Sequence, residues 1–219
     1  MDKPAGMTSH DVVSRVRREF GTRKVGHAGT LDPMATGVLI LGIERGTKFL
    51  AHMVTATKAY NATISLGAST TTDDFEGEII SQTSAAHITD AEILSAIANL
   101  TGDIMQKPAK VSAIKIDGKR AYQRVRDGED VDIPARPVTV NRFEVLESRQ
   151  SPREVDVVVE CSSGTYIRSL ARDLGEALGV GGHLTALRRT EVGPFSLDDA
   201  SPLDSMELSL NLDEALVRC

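Results

Sequence analysis

The sequence predicts an α+β fold with a mixed, largely antiparallel sheet flanked by helices. Segments with helical periodicity and segments that alternate as strands follow one another without the regular strand–helix–strand spacing of a parallel sheet. The chain has 219 residues, of which 41% are hydrophobic and 26% charged, as is ordinary for a folded soluble protein. We expect one domain over residues 1–200, followed by the acidic stretch 201–219.

Three helices and two strands are predicted in the first half of the chain. Thr8 and Asp11 have capping-box spacing ahead of an apolar stripe, so we expect a helix over "TSHDVVSRVRREFG" that ends at Gly21. Then "GVLILGI" predicts a strand, "RGTKFLAHMVT" a helix, "KAYNATISLG" a strand and "TTTDDFEGE" an acidic surface turn. A helix over "ITDAEILSAIANLTG" is expected to be capped by Thr89 and ended by Gly102.

The second half of the chain mixes strands with basic and amphipathic helices. We expect a strand in "AKVSAIKIDG", a short basic helix in "GKRAYQRVRDG", and two strands joined by a turn at Ser151-Pro152. Apolar residues at helical spacing in "GTYIRSLARDLGEALG" predict an amphipathic helix capped by Thr165. The segment "GGHLTALRRTEVGPFSL" predicts a loop, a short helix and a strand.

The chain shows no pattern of a secreted or membrane protein. Its opening residues are polar, and no apolar run reaches the roughly 18 residues of a membrane helix. The two cysteines, Cys161 and Cys219, are far apart, which favours a reducing compartment. We therefore expect a cytoplasmic protein that does not associate with membranes.

Basic residues are segregated although the net charge is −6. "RVRREFGTRK" has five basic residues against one acidic residue, and "KPAKVSAIKIDGKRAYQRVR" has seven against one. These runs are either solvated helix faces or contacts for nucleic-acid phosphates. Common cofactor motifs are absent: "GIERGTK" departs from the P-loop spacing, no dinucleotide or serine-elbow motif occurs, and the five histidines are scattered. We expect neither a cofactor nor a metal.

The remaining candidate for chemistry is the segment "KVGHAGTLDPMATGVLILGI", which holds a single carboxylate, Asp32. Its glycines allow close backbone approach, and Pro33 restrains the preceding residues toward extended geometry. Such a loop could hold one carboxylate beside an open space. It could equally use Asp32 only to cap a turn.

Seven motifs, in order, resemble those of the TruB-type tRNA pseudouridine synthases. "GHAGTLDPMATGVL" closely matches that family's G-H-x-G-x-L-D-P-x-A-x-G-x-L motif. The other matching segments are "DKPAGMTSHDVV", "KAYNATISLG", "TTTDDFEGE", "QKPAKVSAIKIDGKRAYQRVRDG", "CSSGTYIRSLARDLG" and "GGHLTALRR". The resemblance covers residues 2–195 and implies a pseudouridine-synthase fold.

The resemblance implies isomerisation of the T-loop uridine (position 55) of tRNA, without a cofactor. Asp32 matches the catalytic carboxylate, acting at C6 of the ring or at the ribose, and Arg168 matches the arginine paired with it. Tyr60 matches the active-site tyrosine, and Leu187 an apolar wall of the uracil pocket. The target base must be extruded, and His27 matches a residue that holds the RNA loop in its flipped state.

On the RNA side, the resemblance implies that Lys3, Lys115, Tyr122 and the two basic runs contact the substrate. Val111 and Ala109 depart from the family pattern, in which Tyr and Pro are frequent, so local RNA contacts are expected to differ there. Residues 201–219 would be an acidic linker or the start of a C-terminal RNA-binding domain. We expect a monomer that needs no protein partner.

Two other functions remain open at this point. One is a non-catalytic RNA-binding or RNA-chaperone module with the same fold, which need not retain Asp32, Tyr60 and Arg168 together. The other is a synthase of this fold that acts on another RNA through a guide.

Overall fold

The computed structural model describes residues 1–109, 115–116, 119–120 and 133–205. In chain order, the strands of the described residues are β1 (Asp2–Lys3), β2 (Val25–Ala28), β3 (Thr36–Val38), β4 (Ile40–Ile43), β5 (Lys58–Leu66), β6 (Ala68–Thr70), β7 (Ile79–Gln82), β8 (Gly102–Gln106), β9 (Lys115–Ile116), β10 (Lys119–Arg120), β11 (Arg136–Gln150), β12 (Arg153–Cys161), β13 (Gly182–Val192) and β14 (Phe195–Ser196). The helices are α1 (Ser9–Glu19), α2 (Leu50–Thr55), α3 (Asp90–Asn99) and α4 (Ile167–Ala177).

A central eight-stranded sheet has the order β1-β3-β13-β5-β12-β11-β8, with β14 paired to β13. Its pairs are antiparallel except β3 with β13, which is parallel, so the predicted mixed, largely antiparallel sheet is confirmed. Three two-stranded sheets pair β2 with β4, β6 with β7, and β9 with β10. The parallel pair places the strand after the Asp32 loop beside β13.

Local sequence signals determine several of these elements. The capping box predicted at Thr8 forms, and the predicted cap Thr89 forms one as well. The Thr8 and Thr89 hydroxyls accept the backbone N–H of Asp11 and Glu92, and the carboxylates of Asp11 and Glu92 accept the N–H of Thr8 and Thr89. The hairpin β11–β12 turns at Ser151-Pro152, a cis peptide bond. Alternate residues of β12 are buried (Arg153, Val155, Val157, Val159, Cys161), as expected of a strand with one face in the core.

Helices α3 and α4 contact each other and pack against the sheet, α3 on β11 and α4 on β13 and β5. The approach of α4 to the start of β13 depends on Gly175, where a Cβ atom would lie 2.1 Å from the Gly181 carbonyl carbon. Leu170 and Leu174 of α4 are fully buried in the core cluster that also contains Val12 and Val16 of α1. This packing fixes the helix that carries Arg168.

The structure corrects five expectations drawn from the sequence. Helix α4 begins at Ile167 with Tyr166 at its N-cap, and Thr165 is not the cap, because its hydroxyl donates to the Ser162 carbonyl. The segment expected to hold a loop, a short helix and a strand contains the 11-residue strand β13, with no helix before Val192. Pairing with β5 on one side and β3 on the other outweighs its local preference.

The other three corrections concern the segments around residue 40, residue 50 and residue 119. "GVLILGI" divides at Leu39 into β3 and β4, which join different sheets. "RGTKFLAHMVT" forms a 3₁₀ helix, Glu44–Phe49, before the short α2. In the second basic run, Lys115–Ile116 is a strand as expected, whereas Lys119–Arg120 is a strand where we expected the start of a helix. The rest of that expected helix, Tyr122 and Val111 lie outside the described residues.

Candidate active site

The N-terminal segment of the chain holds the backbone of the loop that carries Asp32. The Ser9 hydroxyl, at the start of α1, accepts the Leu31 N–H at 2.9 Å and donates to the Leu31 carbonyl at 3.2 Å. The Lys3 ammonium donates to the carbonyls of Pro4, Met7 and Pro33 at 2.8, 2.6 and 3.3 Å. The residues on either side of Asp32 are therefore fixed by hydrogen bonds from α1 and β1.

Strand β13 holds both ends of the same loop. Arg189, which is 1% exposed, donates to the carbonyl of Val38 at 2.7 Å and to that of Gly29 at 3.1 Å. Gly37 has a φ of +102°, and a Cβ there would lie 2.1 Å from the Arg189 carbonyl oxygen. Only glycine permits this close approach of β3 to β13, which brings the loop ends within reach of the Arg189 side chain.

Arg168 of α4 meets Asp32 with two nitrogens. Its Nε lies 3.0 Å from Asp32 Oδ2 and its Nη2 lies 3.3 Å from Asp32 Oδ1. The Arg168 side chain is 6% exposed, whereas that of Asp32 is 35% exposed. The contact combines one hydrogen bond, from Nη2 to Oδ1, with a second ion-pair distance at Nε, so the guanidinium holds the carboxylate at two points. Arg168 thus holds the Asp32 carboxylate, which is still partly exposed to solvent.

The same guanidinium contacts a second carboxylate on its other side. Nη1 of Arg168 donates to the Thr72 carbonyl at 2.8 Å and lies 3.4 Å from Oδ2 of Asp74, whose side chain is 4% exposed. Asp74 is itself fixed, since it accepts the Thr72 hydroxyl at 2.5 Å and the Glu76 N–H at 3.1 Å. Asp74 thus offsets the burial of the Arg168 charge, as a buried cation requires.

Tyr60 lies in the middle of the sheet, where β5 pairs with Val159 of β12 and Arg189 of β13. Burial raises the pKa of its phenol to about 12, with Arg189 acting in the opposite direction and the Asp32 charge contributing to the rise. The phenol therefore remains protonated at neutral pH. It can donate a hydrogen bond and offer a ring face.

His27 and Leu187 occupy strands beside this group. His27 of β2 is half-buried, and burial, followed by the charge of Arg189, lowers its pKa, so the imidazole is neutral at pH 7. Leu187 of β13 is 7% exposed and lies opposite Ala62. His27 thus lies on β2, which pairs with β4 after the Asp32 loop. Leu187 lies on β13, which pairs with β3 and carries Arg189.

Lys3 does not have the position expected of a phosphate contact. Its side chain is 0% exposed, its three hydrogen bonds go to backbone carbonyls, and burial lowers its pKa. We correct the expectation: Lys3 supports the Asp32 loop. The backbone of Lys115 lies in β9, Ala109 is fully buried, and Tyr122 lies outside the described residues.

The first basic run divides into structural and exposed members. Arg17 donates to the Val25 carbonyl at 2.9 Å, and Arg15 pairs with Asp204 at 2.7 Å. Arg18, Arg23 and Lys24 are exposed, near the loop that enters β2. These three residues remain candidates for contact with phosphate.

Sequence reasoning missed four residues that build the site: Ser9, Asp74, Gln106 and Arg189. Gln106 is 1% exposed, and its amide binds both the N–H and the carbonyl of Tyr166, at 2.8 and 3.0 Å, where α4 begins. The available signal was the position of these residues inside motifs: Asp74 lies in "TTTDDFEGE" and Arg189 in "GGHLTALRR".

Among the described residues, no group of three or more His, Cys, Asp or Glu could hold a metal ion, and no helix could cross a membrane.

Two family models match the sequence over adjoining ranges. Residues 17–167 match the N-terminal domain of the TruB family pseudouridylate synthases. The chain belongs to the TruB family. Residues 168–218 match the C-terminal domain model of tRNA pseudouridylate synthase B. In the structure, the described part of the second range continues the fold of the first, because α4 and β13 pack within the central fold of the TruB chain.

Curated relatives of this TruB chain are called tRNA pseudouridine synthase B. It is 73% identical to that protein of Corynebacterium glutamicum (strain R), over 100% of this chain and 75% of the relative. It is 64% identical to that of Nocardia farcinica (strain IFM 10152), over 99% of this chain and 72% of the relative.

Solved structures confirm the pseudouridine-synthase fold of the TruB chain. A Cbf5–Nop10–Gar1 complex is similar with a TM-score of 0.68 and 34% identity, over 89% of this chain and 48% of that one. An H/ACA RNP bound to a substrate RNA containing 2′-deoxyuridine is similar with a TM-score of 0.65 and 31% identity, over 89% and 47%. This chain thus spans about half the length of those two chains.

Proposed function

We propose that this TruB-family chain isomerises the T-loop uridine (position 55) of tRNA to pseudouridine, with Asp32 as the catalytic carboxylate. The observation that carries the proposal is the pairing of Asp32 with Arg168 at 3.0 and 3.3 Å while its side chain remains 35% exposed. The guanidinium gives the carboxylate a fixed cationic partner, and partial exposure leaves room for substrate. The names of the curated relatives support tRNA as the substrate.

The chemistry needs no external atom or electron. The N1–C1′ bond of the uridine breaks, the uracil turns, C5 joins C1′, and the hydrogen leaving C5 is balanced by one gained at N1. Asp32 acts at C6 of the ring or at the ribose, and either route uses an ionised and oriented carboxylate. The hydrogen bonds to the backbone around Leu31 and Pro33 hold that carboxylate before substrate arrives.

Tyr60 and Leu187 form part of the uracil pocket in this proposal, and His27 helps hold the flipped RNA loop. The pKa of Tyr60, about 12, supports a role as a ring to stack on and a hydrogen-bond donor rather than as an anionic base. Extruding the uridine costs a few kcal/mol of lost stacking. A neutral, half-buried His27 is suited to filling the space that the base leaves.

The exposed basic residues Arg18, Arg23 and Lys24, with Lys115 and Tyr122 of the second basic run, are proposed to contact the T-arm. We further propose that the protein acts as a cytoplasmic monomer without a protein partner. Residues 201–219 are proposed to be an acidic linker or part of a C-terminal RNA-binding domain.

The first test is release of tritium from a T-arm stem-loop labelled at C5 of uridine. The wild type should release tritium, and Asp32→Asn should release none while its RNA affinity stays within about tenfold, because only the carboxylate charge is lost. Asp198→Asn, which neutralises an exposed carboxylate, is the matched control and should match the wild type.

Each outcome separates the alternatives. Wild-type activity in Asp32→Asn contradicts the catalytic assignment. Binding without release by the wild type favours an RNA-binding or chaperone module. Release only from an rRNA target supplied with a guide RNA, and not from the free T-arm, favours the guided synthase.

A further inference from the structure

We propose that Arg172 is a positioning residue of the active site, which clamps the Asp73–Asp74 turn so that Arg168 meets Asp32 in its productive orientation. The inference rests on the proposed function. It concerns an ion pair one helical turn away from the Asp32–Arg168 contact, which the mechanism above does not use.

Arg168 and Arg172 are four residues apart on α4 and therefore lie on one face of the helix. Each binds one of two consecutive acids in the turn after β6. Arg168 Nη1 lies 3.4 Å from Asp74 Oδ2, and Arg172 Nη1 lies 3.0 Å from Asp73 Oδ2. The side chains of Asp73 and Arg172 are 13% and 17% exposed, so solvent screens this pair only weakly.

The backbone at Asp73 is in a conformation that a non-glycine residue seldom adopts. Its φ is +61°, in the left-handed region, which Asp tolerates better than most residues but which still needs support from its surroundings. The turn is also tied to β13: the Leu184 N–H donates to the Asp73 carbonyl at 3.0 Å, and the Phe75 N–H donates to the Leu184 carbonyl at 2.8 Å. The backbone bonds to Leu184 support the turn through the main chain, and the ion pair with Arg172 supports it through the Asp73 side chain.

The geometry of this turn determines what surrounds Arg168. Two of the contacts of the Arg168 guanidinium, the Thr72 carbonyl and the Asp74 carboxylate, come from residues on either side of Asp73. If Asp73 relaxes toward an ordinary φ, both contacts move, and Arg168 is no longer held at the angle at which it contacts Asp32. A loss at Arg172 is therefore transmitted to the catalytic pair through the backbone.

Arg172 also joins a third segment to the helix. Its Nη2 donates to the Lys107 carbonyl at 2.7 Å and to Asp173 Oδ1 at 2.7 Å. Lys107 follows β8 and is the first residue of the second basic run. The clamp thus connects the segment that leads into a proposed RNA contact with the helix that carries Arg168.

The test measures the single-turnover rate of pseudouridine formation at saturating enzyme, together with RNA affinity and melting temperature. Arg172→Ala should lower the saturated rate at least tenfold, with the Kd for the T-arm within threefold of wild type. Arg172→Lys, which can keep one contact to Asp73, should recover most of the rate. Arg149→Ala is the matched control, since among the described residues Arg149 forms its ion pairs with Glu147, Glu154 and Asp156 of its own hairpin; it should leave the rate unchanged.

A second variant keeps the test decisive if Arg172→Ala folds poorly. Asp73→Asn and Arg172→Gln each remove one charge of the pair, and each should lower the rate by a similar factor; the double variant should be little worse than either single change. Loss of RNA affinity instead of rate, a rate equal to that of Arg149→Ala, or fully multiplicative losses would each overturn the proposal. An inactive wild type alongside an inactive Asp32→Asn would instead remove the proposed function, and the inference with it.

Discussion

Arg168 lies between two carboxylates of unequal exposure, and this inequality decides which of them can meet a substrate. Asp74 is 4% exposed and bound by its own turn, so it serves as a fixed counter-charge. Asp32 is 35% exposed and has its backbone held on both sides, so its carboxylate is oriented without being covered. At the scale of single residues, the arrangement separates the acid that stabilises the buried arginine from the acid that reaches solvent.

His27 predicts a pH dependence of stability. Burial and Arg189 hold the pKa of His27 in the folded state below its ordinary value of 6.5. At a pH between these two values, the unfolded chain binds the proton more readily, so the free energy of unfolding falls as the pH falls below about 6.5.

His27→Asn should flatten the change in stability between roughly pH 5 and 7, because the group that protonates on unfolding is gone. Urea unfolding across that pH range measures the effect. His52→Asn, at an exposed position on α2, should leave the slope as in the wild type. A slope that persists in His27→Asn would assign the dependence to other groups.

At the scale of elements, four of them converge on one short loop. Ser9 of α1 binds Leu31, Lys3 of β1 binds Pro33, Arg189 of β13 binds Gly29 and Val38, and Arg168 of α4 binds Asp32. Three of these four side chains, those of Ser9, Lys3 and Arg189, form hydrogen bonds with backbone groups of the loop. These bonds satisfy backbone groups that a strand would pair within a sheet, so they fix the irregular loop in place.

Lys3→Met should therefore lower stability and catalysis together but leave RNA affinity within about threefold. Methionine keeps the length of the side chain and removes the donor, and a buried acceptor left without a partner costs about 1–3 kcal/mol. Lys24→Met should do the reverse, because Lys24 is exposed and its ion pair with Glu44, at 3.6 Å, adds little to stability. Thermal melting and T-arm titrations of both variants distinguish these outcomes; a tenfold loss of affinity in Lys3→Met would restore Lys3 as a phosphate contact.

At the scale of the whole molecule, features set by residues close together in the chain are easier to predict from the sequence than features set by contacts between distant segments. The capping boxes, the hairpin β11–β12 and the alternation of β5 were all predictable, because each depends on residues close together in the chain. Strand β13 was expected to include a helix, because its conformation comes from pairing with β3 and β5, which lie far away in sequence. The same reason hid Asp74 and Gln106, whose partners are 94 and 60 residues away.

The resemblance brought Asp32, Arg168 and Tyr60 together before any coordinates, and the ion pair of Asp32 with Arg168 is present. It misplaced Lys3, because a lysine near the N-terminus gives no local sign that it will be fully buried. Burial of a cation depends on carbonyls that other segments supply, here those of Pro4, Met7 and Pro33.

The charge distribution of the whole molecule predicts how RNA binding depends on salt. Arg18→Gln with Arg23→Gln should weaken binding and reduce the slope of log affinity against log salt by up to about 2, since each lost phosphate contact removes about 0.9. Arg17 is left intact because it bonds the Val25 carbonyl. Arg142→Gln, exposed on β11, is the control. An unchanged slope in the double variant would place the RNA contacts elsewhere.

The hydrogen bonds from Arg189 to the carbonyls of Gly29 and Val38 have a consequence for the chain during its synthesis. Arg189 and Gly29 are 160 residues apart, so a ribosome working at 5–20 residues per second makes the loop roughly 8–32 s before the arginine that closes it. Arg168 likewise follows Asp32 by 136 residues. During that interval a nascent chain already presents its carboxylate and its first basic run, but it lacks the guanidinium groups that orient the carboxylate. Catalytic competence should therefore wait until α4 and β13 have been made and have joined the fold.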